Sequence, residues 1–123
     1  MKRRRLFEWN DQAWLPEWLR AYETEYLEAL FARVGFYEAA APLLARALSA
    51  AGSRRVHDLC SGAGGPILAL LPRIEAELGH EIEVVVSDRR PNSRAFERLA
   101  ALSGGRIRAA PAPVDVLDLH AEP

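Results

Sequence analysis

Two kinds of hydrophobic pattern divide the chain. Up to about residue 48 the apolar positions recur at helical spacing; from Arg54 onward short apolar runs alternate with helical stretches. Residues 1–15 mix charged and aromatic positions and predict no regular element. Pro16 suits the first turn of a helix. Trp18, Leu19, Tyr22, Tyr26, Leu27, Leu30 and Phe31 then form one apolar face, interrupted by Gly35. Pro42 can open a second helix, with Leu43, Leu44, Ala47 and Leu48 as its stripe and Gly52 and Ser53 closing it. An aromatic stripe at helical spacing is more often core than ligand box, so burial is the expectation; a cap lying over a pocket is the second reading.

Beyond Arg54 the spacing predicts a strand over about 55–60 and a helix from about Gly65 to Leu78. That helix has Ile67, Leu68, Leu70, Leu71, Ile74 and Leu78 apolar, and Pro72 is expected to kink or shorten it. A second strand over about 82–87 leads to a helix from about Pro91 to Leu102, with Ala95, Phe96, Leu99 and Leu102 facing inward. Ser103-Gly104-Gly105 stops it. A weaker third strand begins near Ile107, and Pro111 and Pro113, which cannot donate to a ladder, consign it to a sheet edge. Strands alternating with helices predict an α/β fold with a partial parallel sheet of about three strands and right-handed crossovers. Residues 1–53 then form a helical extension and 54–123 the front half of a larger α/β domain. Strand one should be interior, yet only two further strands are supplied, so one of its flanks is expected to be a bare apolar edge through which copies of the chain could associate.

Composition narrows the function classes. At 123 residues there is room for one domain. A net charge of -1 gives no general attraction to nucleic acid, which is not expected as a partner. No apolar run approaches the roughly 20 residues that cross a bilayer, so no membrane partner is expected. Lys2-Arg3-Arg4-Arg5 resembles the start of a signal peptide, but Glu8, Asn10 and Asp11 break the stretch behind it; a cytoplasmic location and a solvated tail are expected. One cysteine excludes an internal disulfide. His57, His80 and His120 have no metal-ligand spacing, and no metal is expected.

The chemistry gathers at Val56-His57-Asp58-Leu59-Cys60-Ser61-Gly62-Ala63-Gly64-Gly65, an apolar strand running into a glycine turn and then a helix. A second run, Val84-Val85-Val86-Ser87, ends on Asp88. Strand, glycine turn, helix, strand and terminal acid is the layout of a nucleotide-type pocket. A P-loop would need a lysine after the glycines, and Gly64-Gly65-Pro66 has none. A hydrolase elbow needs glycine two positions before the serine, where Leu59 stands before Ser61. A dinucleotide fingerprint needs a third glycine where Ile67 stands, which leaves an NAD-dependent oxidoreductase as a weaker alternative.

These residues resemble the class I S-adenosylmethionine-dependent methyltransferases. Asp58-Leu59-Cys60-Ser61-Gly62-Ala63-Gly64 is similar to their first motif, with Cys60 in place of its first glycine. Asp88-Arg89-Arg90-Pro91-Asn92 resembles the second, and Val114-Asp115 or Leu117-Asp118 the third. The resemblance covers about residues 54–118 and implies a Rossmann-like methyltransferase fold, S-adenosylmethionine as cofactor and most naturally a small-molecule methyl acceptor. It implies that Gly62 and Gly64 let the backbone approach the cofactor and that Asp58 helps position its amino end. Asp88 would accept from both ribose hydroxyls and Asp115 from the adenine amino group, with Arg89 and Asn92 on the adenine side. Bland roles stand beside these: Asp58 capping the turn, Asp88 capping the next helix, Cys60 a small filler rather than a nucleophile. The family's strands beyond this half would carry catalytic and substrate contacts, so no catalytic residue is assigned. A non-catalytic half-fold serving as a regulatory or interaction module is the alternative from another class.

Overall fold

A computed structural model describes residues 12–35 and 37–119, with the side chains of Glu28, Phe31, Ala32 and Val34 left aside. The basic run at Lys2–Arg5, Phe31 as part of the stripe, and His120 therefore lie outside the described residues. The elements are α1 (Glu17–Val34), α2 (Ala40–Ala51), β1 (Arg55–Leu59), α3 (Ile67–Leu78), β2 (Glu83–Ser87), α4 (Ser93–Leu102) and β3 (Ile107–Ala109). The three strands form one parallel sheet in the order β1-β2-β3. The chain is thus α/β, with α3 and α4 as the crossovers that parallel neighbours require.

Register decides what each face buries. Val56 lies opposite Val84 and Asp58 opposite Val86, while Ile107 pairs with Val84 from the other side. Val84, Val86 and Ile107 are buried in one cluster with Ile67, Leu70, Leu71 and Ile74 of α3 and Phe96 and Leu99 of α4. Ala41, Ala45 and Leu48 of α2 join that cluster, so the helical segment shares the core of the α/β unit. The opposite face carries Arg55, exposed His57, half-buried Val85 and exposed Arg108, with Glu83 bridging the two arginines. Among the described residues β1 has β2 on one flank and no strand on the other.

Several expectations need correction. Trp18, Tyr22, Tyr26, Leu19, Leu27 and Leu30 are exposed instead of buried. Among the described side chains of α1, Glu17, Arg20, Ala21 and Thr24 are turned to the rest of the protein, as described below. In α2 the buried positions are Ala41, Ala45 and Leu48, whereas Leu43 and Ala47 face out. Ala41, Ala45 and Leu48 stand at i, i+4 and i+7 and form the face turned to α3, and Leu43 lies off that face. Leu102 is exposed because α4 ends there, one turn past Leu99. Pro72 does not end α3, which continues from Ile67 to Leu78. Its ring sits on the exposed side, and burial of Leu70, Leu71 and Ile74 holds the turns on either side of it. Helix α4 starts at Ser93 because Asn92 is its cap, the Oδ1 accepting from the Ala95 N–H at 3.1 Å.

Candidate functional site

The carboxyl ends of β1 and β2 are joined by two buried serines. The Ser61 N–H donates to the Ser87 carbonyl at 2.9 Å, and the Ser87 N–H donates to Ser61 Oγ at 3.0 Å. Ser61 Oγ in turn donates to the Asp58 carbonyl at 2.7 Å. Ser87 Oγ donates to the same carbonyl at 3.2 Å and lies 3.0 Å from His57 Nε2. These bonds fix where the backbone leaves the sheet. Cys60 follows at φ 58°, a left-handed conformation that a β-carbon disfavours. The residue standing where the motif has its first glycine therefore adopts a glycine-like backbone.

The two motif glycines have different reasons to be glycine. Gly62, at φ 57°, faces α1, where a β-carbon would lie 3.7 Å from Thr24 Cγ2, an ordinary contact. Gly64, at φ 96°, is buried, and a β-carbon there would lie 2.1 Å from Leu99 Cδ1 of α4. Gly64 is thus required by helix packing, and its backbone does not line the cleft described next.

Asp88 holds the turn from across the sheet. Its Oδ2 accepts from the Gly62 N–H at 2.9 Å and its Oδ1 from the Arg90 N–H at 2.9 Å. The Asp88 carbonyl accepts from the Val114 N–H at 3.0 Å, drawing the segment after β3 to the same end of the sheet. Arg90 donates to the Gln12 carbonyl at 3.3 Å, and Arg20 of α1 donates to that carbonyl at 3.0 Å. Through this shared acceptor the start of α1 is anchored beside the strand ends.

The result is a cleft of about 790 Å³. Cys60, Gly62 and Asp88 line its sheet end. Glu17, Arg20, Ala21 and Thr24 line it from α1, and Arg89 through Asn92 with Val114 through Leu117 complete it. Arg89 Nε lies 3.3 Å from Asp115 Oδ2, and Asp115 Oδ1 accepts from the Leu117 N–H at 3.0 Å. Asn92 Nδ2 is buried with no hydrogen-bond partner, an orphaned donor in the cleft wall.

Of the residues singled out in the sequence, Cys60, Gly62, Asp88, Arg89, Asn92 and Asp115 come together at this cleft. Asp58 and Gly64 do not line it. Asp58 lies on the helix-packed side of β1, opposite Val86. Burial pushes its carboxyl above the usual aspartate range, and the charge of Asp88 adds to this; a hydrogen bond with Ser61 and the nearby His57 pull it partly back. Asp118 also lies off the cleft. Sequence reasoning missed the α1 wall. Glu17, Arg20, Ala21 and Thr24 stand at i, i+3, i+4 and i+7, the face opposite the aromatic stripe, so the same periodicity contained the signal. It also missed Ser61 and Ser87 as the pair joining the strand ends. Among the described residues no three His, Cys, Asp or Glu side chains gather as a metal set, and no helix is long and apolar enough to cross a membrane. Comparison with protein-family models, with curated proteins and with solved structures finds no match to this chain.

Proposed function

We propose that this cleft binds S-adenosylmethionine and that the chain is the cofactor-binding part of a class I methyltransferase acting on a small-molecule acceptor. The observation that carries this reading is the Asp88 carboxylate, oriented by two backbone N–H groups at the cleft. An ionised carboxylate offers about four lone-pair sites. The Gly62 and Arg90 N–H groups use one on each oxygen, which leaves one on each for the paired hydroxyls of a ribose. Three further features suit an adenosyl group. The volume lies in the range of small-ligand sites, roughly 300–1,000 Å³. The orphaned Asn92 Nδ2 matches a ring nitrogen acceptor. Pro91, Val114, Val116 and Leu117 supply apolar surface for a flat base.

In this reading Asp88 holds the ribose, the Cys60–Gly62 backbone lies along the cofactor's methionine part, and Asn92 and Val114 flank the adenine. Asp115 reaches the adenine amino group once its pairing with Arg89 is relaxed. Asp58 acts from outside the cleft, its carbonyl receiving both serine hydroxyls that set the turn. S-adenosylmethionine supplies an activated methyl group to a nucleophile on the acceptor. The work left to this chain is positioning and the exclusion of water. Glu17 and Asp88 give the cleft carboxylates suited to a cationic ligand. The bare flank of β1 favours a second reading, a binding module whose sheet is completed by a partner.

Calorimetric titration with S-adenosylhomocysteine, with NADH as control, tests the assignment. Saturable binding of the first ligand, weakened at least about tenfold in Asp88→Ala, is expected from the loss of two charge-assisted hydrogen bonds. Equal affinity in wild type and Asp88→Ala, or preference for NADH, would sink it. A folded chain that binds neither favours the module reading.

A further inference from the structure

Helix α1 turns its aromatic row away from the rest of the chain. Its polar positions Glu17, Arg20 and Thr24 turn toward the cleft, while Trp18, Tyr22, Tyr26 and Leu30 turn to solvent. With Trp14 just ahead of the helix, these residues fall at every fourth position. Trp14, Trp18, Tyr22 and Tyr26 are 61, 72, 67 and 59% exposed. An aromatic side chain presents about 150–250 Å², so the four expose about 500 Å². That already reaches the size of the largest apolar patch on an ordinary monomer, about 300–600 Å², and exposed Leu19, Leu27 and Leu30 enlarge it.

We infer that this face is a dimerisation surface, occupied by α1 of a second copy of the chain. Area is the first argument. Two such patches together offer about 1,000 Å² from the aromatic residues alone, and the leucines add to it, which is the scale a specific interface needs. Self-complementarity is the second. Residues four apart form a ridge, and ridges of this kind interdigitate when two helices cross at about −50°. A two-fold axis between Tyr22 and Tyr26 sets Tyr22 against Tyr26 of the second copy and the bulky Trp18 against the smaller Leu30. Charge is the third. The glutamates of α1, Glu23 and Glu25 among them, outnumber its two arginines, Arg20 and Arg33, which disfavours nucleic acid and anionic lipid as occupants. The inner face of α1 remains turned to the cleft, so the pairing leaves each cleft accessible. The inference stands independently of which ligand the cleft binds.

Sedimentation velocity of the full 123-residue chain over a range of concentrations tests it. A monomer–dimer equilibrium is expected. Tyr22→Glu with Tyr26→Glu should weaken it by about 30-fold or more for each residue that acts as an interface hot spot. The far-ultraviolet circular dichroism should be unchanged, because both side chains are exposed in the monomer. Should the double glutamate variant fail to fold, Trp18→Ser with Leu30→Ser provides the same reading. A wild-type chain that remains monomeric throughout, or one that instead associates with neutral phosphatidylcholine vesicles, overturns the inference. So does a dimer undisturbed by substitutions on α1, which would transfer the contact to the open edge of β1.

Discussion

Helices α4 and α1 both carry apolar residues at helical spacing, and they meet opposite environments. In α4 the apolar residues Ala95, Phe96 and Leu99 are buried against β2 and β3, and the charged Arg94, Glu97 and Arg98 face water. In α1 the apolar Trp18, Tyr22, Tyr26 and Leu30 face water, and Glu17, Arg20 and Thr24 face a cleft. Periodicity reports that a helix has two faces; it does not say which face the rest of the chain needs. What decides is the surface each helix meets. The Val84–Ile107 row requires apolar partners, whereas the strand ends, where Asp88 and Arg90 gather, require polar ones.

The widest separation between the two helices should appear on truncating one aromatic residue in each. Phe96→Ala leaves a cavity inside a packed cluster and should cost about 3–5 kcal/mol in urea denaturation. Trp18→Ala, in a chain held dilute, should change the stability by no more than about 0.5 kcal/mol. A large loss for Trp18→Ala would mean that α1 packs its aromatic face inward in solution, and the contrast would fail.

Gly64 tests the same packing from the turn. Gly64→Ala places a β-carbon against Leu99 and imposes a left-handed backbone on alanine. The two effects together should cost about 2–4 kcal/mol. If Leu99 is the obstacle, Gly64→Ala with Leu99→Ala should lose less than the sum of the single variants. Strict additivity would leave backbone strain as the whole effect.

The contrast also explains what the sequence made legible. The alternating half was readable because each signal there was local: β-branched runs bounded by glycines, with helical apolar spacing between them. The edge position of β3 followed from the prolines at 111 and 113. The gathering of Cys60, Gly62 and Asp88 followed from parallel topology, which brings the ends of successive strands together. The packing role of Gly64 was hidden, because Leu99 lies far along the chain and only the fold brings it near. Asp88 capping α4 was a reasonable local expectation, but Asn92 stands nearer the helix and takes that role, leaving Asp88 to grip Gly62. The orientation of α1 was illegible for a related reason: its inner surface is made by Gln12 and Arg90, which are distant in sequence.

A smaller effect distinguishes the core side of β1 from the cleft. The Asp58 pKa is raised in the folded state, so between the ordinary aspartate value and the raised one the folded chain binds more protons than the unfolded chain. Stability should therefore fall as pH rises through that window, and the cost should be fully present above it. Asp58→Asn removes the titration. The variant should be more stable than wild type at neutral pH, with the gain disappearing below the ordinary aspartate range. Denaturant midpoints across pH check this. A gain that persists in acid would assign the effect to altered hydrogen bonding with Ser61 rather than to buried charge.

The finest comparison lies within the turn that joins the two regions. Cys60 and Gly62 share almost the same φ, 58° and 57°, yet only one of them has a β-carbon. Cys60→Gly removes a left-handed penalty of about 1–2 kcal/mol. Against it stands the larger freedom of glycine in the unfolded chain, worth about 0.5–1 kcal/mol. A net gain of about 0.5–1 kcal/mol is expected. Gly62→Ala reverses the experiment: no hard clash arises, because Thr24 Cγ2 would stay at 3.7 Å, and the loss should be about 0.5–1 kcal/mol. Opposite signs at two positions of equal backbone geometry would identify conformational strain as the cause. A loss in both variants would mean instead that the Cys60 side chain makes a contact in the cleft stronger than the strain it imposes, and would move that residue from filler to participant.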